Sequence, residues 1–362
     1  MVKVAKGRIV TVFSQTKPLL ASELEAHLRR LRPGFEPVSA PVALKGGYLN
    51  YVWRLQGESE SWIAKQALPF FAAFPEQALS PTRLWFEVRA LEVLGPMGAL
   101  VELRTETVRA PQLLAFEPEY SLLWMEDIGS GPDLYHWLMQ IPCLERIAHR
   151  AQELALFLAD LHAYSSSHRR LAEDFYNFEV QATRLRVQYD LAAWLPQNLY
   201  EDRVYTELRQ AVYALGEQLL KPGKCLIMGD LWPASICMTE QGIRLLDWEF
   251  VHWGQPAQDL GHFMAHCWLI SEAHAGTAIQ VCIDHFWQVF SMHYWKRIET
   301  TCPQLWQEND YEAKRIHAGA EILIRTVGIF QKCGYFAGIP AQDPQVLKAL
   351  ALAQTLILDF QS

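Results

Sequence analysis

The 362-residue sequence predicts an α+β protein with two lobes: a small β-rich N-terminal lobe and a large, mainly helical C-terminal lobe. Three observations predict it. Strand-like pieces separated by turn signals dominate the chain up to Gly131. Helical periods dominate after it. The two regimes meet at a glycine-containing connector, "IGSGPDL" at residues 128–134, so the expected lobes are residues 1–127 and 128–362.

Each early element carries its own signal. "LLASELEAHLRRL" (residues 19–31) has helical apolar spacing, with Ser22 as its capping candidate. "VALKGGYLNYVWRLQ" (residues 42–56) reads as strand, Gly46-Gly47 turn, strand. "SWIAKQAL" (residues 61–68) reads as a third strand, with approximate alternation at Trp62, Ala64 and Gln66. "SPTRLWFEVRALEVLG" (residues 80–95) is a helix, with Ser80 as candidate N-cap, Pro81 in the first turn and Gly95-Pro96 as the stop. A hairpin follows, residues 113–116 and 120–125 around Glu117-Pro118-Glu119. "RIAHRAQELALFLADLHAY" (residues 146–164) is a long amphipathic helix, and no repeat or low-complexity tract interrupts the chain.

Composition narrows the function. Hydrophobic residues make up 51% and charged residues 20%, enough for a large core. The formal net charge of -8 argues against a general nucleic-acid binder or an anionic-membrane binder, which need basic surfaces. The seven cysteines are scattered and form no Cys-x-x-Cys, which reads as buried free thiols in a reducing compartment. No signal-peptide pattern opens the chain, and no run of about 18 apolar residues occurs. The expectation is a cytoplasmic protein.

Several charged residues sit in apolar surroundings, where they need partners or a ligand. Lys65 lies inside the strand "WIAKQAL", and the next helix carries Glu87 as a possible partner. Taken singly, Lys65 could also sit on a solvent face and Gly46-Gly47 could be an ordinary hairpin turn. Their order, Gly turn, strand Lys, helix Glu, is that of a protein-kinase-like nucleotide lobe. Asp230 in "GDLWPASI" follows the strand-like "KCLIM" and could accept a proton from a substrate hydroxyl. It could also simply cap a turn. Ser235 could place a hydroxyl near a metal–phosphate group. Asp247 and Glu249 in "IRLLDWEF" put two hard oxygen donors at i and i+2, a pattern suited to Mg²⁺ on nucleotide phosphates, or to two solvated acids at a strand end. A turn at "TEQG" (residues 239–242) would make a hairpin between the two acidic turns. Asp259 reads as a capping or loop-bracing residue.

Other classes are excluded at the level of motifs. The Gly-x-Gly of "IGSGPDL" lacks the third glycine and the βαβ unit of a dinucleotide fold. No phosphate-binding Gly-x-x-x-x-Gly-Lys-Ser/Thr and no Gly-x-Ser-x-Gly occurs. Among the twelve histidines no His-x-x-x-His site with a Glu is read. The thirteen tryptophans read as packing residues.

In order, the elements are the glycine turn, Lys65, Glu87, the hinge Met125-Glu126-Asp127-Ile128, Gly229-Asp230-Leu231 and Asp247-Trp248-Glu249. That order resembles the aminoglycoside-phosphotransferase and choline-kinase group of small-molecule kinases, and within it the methylthioribose kinases. "GGYLNYVWRL", "IAKQALPF", "LLDWEF", "AEILIRTVGIF" and the Ser235 position all resemble methylthioribose kinase motifs, so the likeness runs from about Gly46 to Phe330. The resemblance implies a two-lobed protein-kinase-like fold and ATP- and Mg²⁺-dependent phosphorylation of a small-molecule hydroxyl. It implies that Asn50 and Lys65 contact ATP phosphates, and Glu87, the possible partner of Lys65, is expected with them among the nucleotide-binding residues. Met125, Glu126, Asp127 and Ile128 would hold the adenine through backbone groups. Asp230 would be the base facing the acceptor, Asp247 and Glu249 would hold Mg²⁺ with Ser235 nearby, and Arg325 would meet the substrate. It also implies a homodimer. This sequence departs from the pattern on the substrate side. Ile324-Arg325 replaces tandem arginines, Trp232-Pro233 replaces His-Thr, Met228 replaces His, and Gly46-Gly47-Tyr48 replaces Asp-Gly-Asn. An amino-alcohol or aminoglycoside acceptor, or a non-catalytic pseudokinase, stands as the alternative.

Overall fold

The sheet of the N-terminal region is built from five antiparallel strands. They are β1 (Val42–Ala43), β2 (Tyr51–Gln56), β3 (Ser61–Gln66), β4 (Leu113–Glu117) and β5 (Leu122–Glu126), in spatial order β1-β2-β3-β5-β4. This computed structural model describes residues 3–5, 8–10, 17–44 and 47–359. Gly46 of the expected glycine turn, and most of the N-terminal segment read for a leader, lie outside them. The chain divides into two compact units. The first is Met1–Thr105, Arg109–Ser130 and Arg244–Phe250; the second is Glu106–Val108, Gly131–Ile243 and Val251–Ser362. The expected division at Asp127/Ile128 falls just before the observed one, and the segment carrying Asp247 and Glu249 packs with the first unit.

Period-2 alternation sorts the first unit's sheet into two faces. Trp53, Leu55, Trp62, Ala64, Leu122 and Trp124 pack against Leu24 and Leu28 of α1 (Ala21–Leu31). Gln66 shares that face and is fully buried, its amide oxygen accepting from the Leu19 N–H at 3.0 Å. Lys65 must therefore point to the opposite face. There the helix α2 (Arg83–Val93) lies with the Trp248–Phe250 turn against it. Both faces are covered, which is why β3 is buried almost throughout and its alternation is blurred in the sequence.

Both capping expectations in this unit shift by two residues. Leu20, not Ser22, is the N-cap of α1, and Glu23 reaches back so that its carboxylate accepts the Leu20 N–H at 2.6 Å. Thr82 occupies the cap position of α2, while the hydroxyl of Ser80, two residues earlier, accepts the Thr82 N–H at 3.4 Å.

Long helices build the second unit: α3 (Leu144–Ser166), α4 (Phe178–Arg184), α5 (Asp202–Gly216), α6 (Pro256–Ala273), α7 (Ala278–Thr301), α8 (Glu308–Thr326) and α9 (Pro344–Leu358). α3 packs along α7, and α8 lies between α6 and α9. Leu208, Val212, Leu269, Leu323 and Leu350 are among the residues of its core. Two short strands matter for function. β6 (Cys225–Ile227) pairs antiparallel with β7 (His252–Gly254), so its apolar residues are fully buried and the chain emerges at Met228 in a fixed direction. The strand Ile236–Thr239 and its neighbour Gly242–Leu245 form the expected hairpin, with the Thr239 hydroxyl donating to the Gly242 carbonyl at 2.9 Å.

Candidate active site

In the first unit a charged cluster forms behind the sheet. Lys65 Nζ lies 2.7 Å from Glu87 Oε2, 2.7 Å from Asp247 Oδ1 and 3.7 Å from Glu249 Oε1. Burial works against the Lys65 charge, but Asp247, Glu87 and Glu249 together outweigh it and hold the ammonium well above its ordinary value. Glu87 is pushed up to about 7, first by burial and then by Glu249 and Asp247, against the pull of Lys65. Lys65 thus stays charged at neutral pH while crowding among the carboxylates falls on Glu87.

The three carboxylates are not equivalent. Asp247 leaves 49% of its side chain exposed, against 3% for Glu249. Its backbone is left-handed, φ 59°, a conformation that Asp tolerates better than most residues. Glu249 is committed to the protein. Its Oε1 accepts from Asn50 Nδ2 at 2.8 Å, and its Oε2 lies 2.9 Å from Arg83 Nε. Arg83 also donates to Asn50 Oδ1 and to the carbonyls of Leu49, Leu68, Leu79 and Ser80. Arg83 and Asn50 therefore tie the chain after the glycine turn to α2, and Asn50 is spent on that tie. Arg83 was not singled out from the sequence. Its signal was an arginine four residues before Glu87, on the same side of the helix.

Mg²⁺ keeps several waters and takes one or two carboxylates together with phosphate oxygens. Asp247, half-exposed beside Lys65, fits that demand as the protein's ligand. Glu249 does not present an open oxygen. Ser235, in the second unit, is also closed: it is fully buried, and its hydroxyl donates to the Trp232 carbonyl at 2.8 Å.

The expected hinge splits by role. Arg109 forks onto Glu126 at 2.5 and 2.6 Å. Asp127 accepts from Ser61 Oγ at 2.6 Å, Arg54 Nη2 at 2.9 Å and the Gly129 N–H at 2.9 Å. Burial raises the Asp127 carboxyl, but Ser61 and Arg54 outweigh it and keep it below its usual value. Both carboxylates are thus occupied by protein donors, and the Glu126 N–H donates to the Gln112 carbonyl at 2.9 Å.

In the second unit Asp230 follows Gly229, whose φ of 78° suits glycine. Asp259 fixes the loop: its carboxylate accepts the Met228 and Gly229 N–H groups, each at 2.8 Å. That is the bracing role the sequence suggested for it. The Asp230 side chain remains 25% exposed, and Arg184 Nη2 donates to its Oδ1 at 2.7 Å. Arg325 donates from Nε to Glu321 Oε1 at 2.7 Å, and its guanidinium lies 5.0 Å from the Trp232 ring and 5.2 Å from the Phe330 ring. Burial opposes the Arg325 charge, and Glu321 and Asp230 more than restore it.

A buried network backs these groups and escaped the sequence reading. His262 and His266 stand four residues apart on α6, and the Glu that joins His266, Glu321 at 3.0 Å, comes from α8. Only the fold brings the Glu to the histidine pair. Tyr189 Oη lies 3.0 Å from His262 Nε2 and 2.6 Å from His317 Nδ1. Gln188 donates to Glu321 as well. Burial pulls His262 down to about 3 and lowers His266 and His317 too. The unfolded chain therefore binds protons that the folded chain refuses. This contribution to stability is present above about pH 6.5 and lost as pH falls below it. For His262 alone the loss between pH 7 and pH 5 is about 2 kcal/mol. Urea midpoints at the two pH values should show it, and His262→Phe should flatten the pH slope even though it lowers absolute stability.

Residues 42–279 match the family described as "Phosphotransferase enzyme family". A methylthioribose kinase of Geobacillus sp. (strain WCH70) is 25% identical over 384 residues, covering 92% of this chain and 90% of that protein. A 4-hydroxytryptamine kinase of Psilocybe cubensis is 27% identical over 252 residues, covering 63% of this chain and 67% of that protein. Among solved structures, the GDP and kanamycin complex of APH(2")-IIia superposes with a TM-score of 0.54 at 12% identity, over 94% of this chain and 99% of that one. At that identity the likeness speaks for the fold, which is α+β and protein-kinase-like.

Proposed function

The chain belongs to the phosphotransferase enzyme family and is a small-molecule kinase, and on that premise we propose that it transfers the γ-phosphoryl group of ATP, with Mg²⁺, to a hydroxyl of a small metabolite. The observation that carries the reading is the Lys65–Glu87–Asp247 cluster, a buried cation shared between a buried carboxylate and an exposed one. Lys65 would offset charge on the triphosphate. Backbone groups of Met125 to Ile128 would take the adenine. Asp247 would hold Mg²⁺, which when bound neutralises charge on the phosphates. Asp230 would orient the acceptor hydroxyl and take its proton as the oxygen attacks the γ-phosphorus and the bond to ADP breaks. The intact Lys65, Asp230 and Asp247 speak against a pseudokinase.

The acceptor side favours a molecule with a flat or apolar part. Trp232 and Phe330 flank Arg325, and the carboxylates Asp259 and Glu321 are buried and committed to protein donors. A polycationic aminoglycoside would want exposed carboxylates instead. The relatives are named for methylthioribose and for 4-hydroxytryptamine, whose hydroxyl sits on an indole ring. The test is a panel of methylthioribose, 4-hydroxytryptamine, choline and kanamycin with coupled detection of ADP. Turnover of one of the first two is expected, and kanamycin as the sole substrate would overturn the reading. Trp232→Thr should raise KM for the acceptor about tenfold, on the order of one lost aromatic contact, and leave KM for ATP unchanged.

A further inference from the structure

We propose that Arg184 is a positioning residue that holds the Asp230 carboxylate in its reactive orientation, an inference that rests on the assignment of Asp230 as the base. The backbone and the side chain of this loop are held by different groups. Asp259 takes the Met228 and Gly229 N–H groups, and Gln258 Nε2 donates to the Gly229 carbonyl at 3.1 Å. These contacts fix where the Asp230 Cα sits. They leave the carboxylate free to rotate.

Arg184 removes that freedom. One terminal nitrogen, Nη1, donates to the Gly229 carbonyl, and the other, Nη2, donates to Asp230 Oδ1 at 2.7 Å. A planar fork that grips the backbone and the carboxylate together sets the side-chain torsion relative to the loop. It occupies Oδ1, and Oδ2 takes no donor from the described residues, so one oxygen is left for an acceptor hydroxyl. Arg184 is itself placed by the end of its helix. It is the last residue of α4, and the chain continues as one wide turn, Leu185–Tyr189, closed by the Asp190 N–H on the Leu185 carbonyl at 2.9 Å. That turn delivers Gln188 and Tyr189 to Glu321, His262 and His317, and Arg184 Nη1 also lies 3.4 Å from His262 Nδ1. The wide turn thus connects the clamp on the base to Glu321, the residue that holds Arg325.

The clamp is also a charge. Asp230 in turn helps to hold the charge of Arg325 from α8. His266 of α6 and Tyr189 feel Asp230 but are kept neutral by burial, and the carboxylates Asp259 and Glu321 are tied to their own donors.

Two variants separate charge from placement, with 4-hydroxytryptamine or methylthioribose as acceptor, whichever turns over. Arg184→Gln loses both. Its kcat should fall about 10- to 100-fold with KM for ATP unchanged. Arg184→Lys keeps the charge and loses the fork, and its kcat should fall several-fold, again with KM for ATP unchanged. In an Asp230→Asn background Arg184→Gln should lower kcat little further. Wild-type kcat in Arg184→Lys, or an undiminished further loss from Arg184→Gln in the Asp230→Asn background, overturns the proposal. Should Arg184→Gln fail to fold, the Arg184→Lys result decides alone. Failure of the underlying assignment reads out separately, as full turnover in Asp230→Ala.

Discussion

Asp230→Ala is expected to lower kcat by about 10² to 10⁴, the range that a positioned general base contributes, while nucleotide binding persists. The separation follows from where Asp230 sits. Its side chain is partly exposed, so truncation opens no core cavity. The backbone around it is fixed by Asp259 and Gln258, neither of which touches its carboxylate. The groups assigned to ATP belong to the other unit. Calorimetry with Mg·ATP should give an affinity near that of the unsubstituted protein, and a coupled assay should give almost no ADP. Asp230→Asn is the sharper version, because it keeps the shape and loses the basicity. If Arg184 acts through Asp230, then adding Arg184→Gln to Asp230→Asn should cost little more than Asp230→Asn alone. Undiminished turnover in Asp230→Ala would end the kinase mechanism offered for this site.

What the sequence disclosed and what it hid follow one physical rule. Lys65 was legible because a charge inside an apolar strand breaks a local pattern, and local patterns are what a sequence displays. The same holds for Asp230 and Asp247, each at the end of a buried strand, and for the change from strands to helices after residue 131. Roles that depend on a distant partner were not legible. Glu249 looked equivalent to Asp247, yet Asn50 and Arg83, far away in sequence, close one acid and leave the other open. Ser235 looked like a metal-site hydroxyl, but it shapes the turn that presents Trp232. Arg184 carried no signal at all, because its segment, "EVQATRLRVQYD", is an unexceptional helical pattern until a wide turn redirects it. The Arg244–Phe250 segment packs with the first unit for a similar reason: its partners Lys65, Arg83 and Asn50 were all laid down early in the chain.

Lys65→Met should have the second large effect, and it should be double. Lys65 is 2% exposed, and its ammonium sits against Glu87 and Asp247. Removing it takes away the cation assigned to the triphosphate, so kcat/KM for ATP should fall about 10²- to 10³-fold, comparable to the loss of one preorganised donor in a water-excluded site. It also leaves Glu87 buried without its partner. Breaking a buried pair from one side costs about 3–5 kcal/mol, although the raised pKa of Glu87 lets it take up a proton and moderate the loss. Stability and activity can then be pulled apart. Lys65→Met combined with Glu87→Gln removes both charges of the pair, while Arg83 still compensates Glu249. The double variant should recover most of the melting temperature lost in Lys65→Met, because a neutral pair no longer strands a buried charge. It should recover none of the turnover, because ATP still meets no ammonium. If restoring stability also restored activity, Lys65 would be a structural residue, and the cation that meets the triphosphate would have to be sought elsewhere.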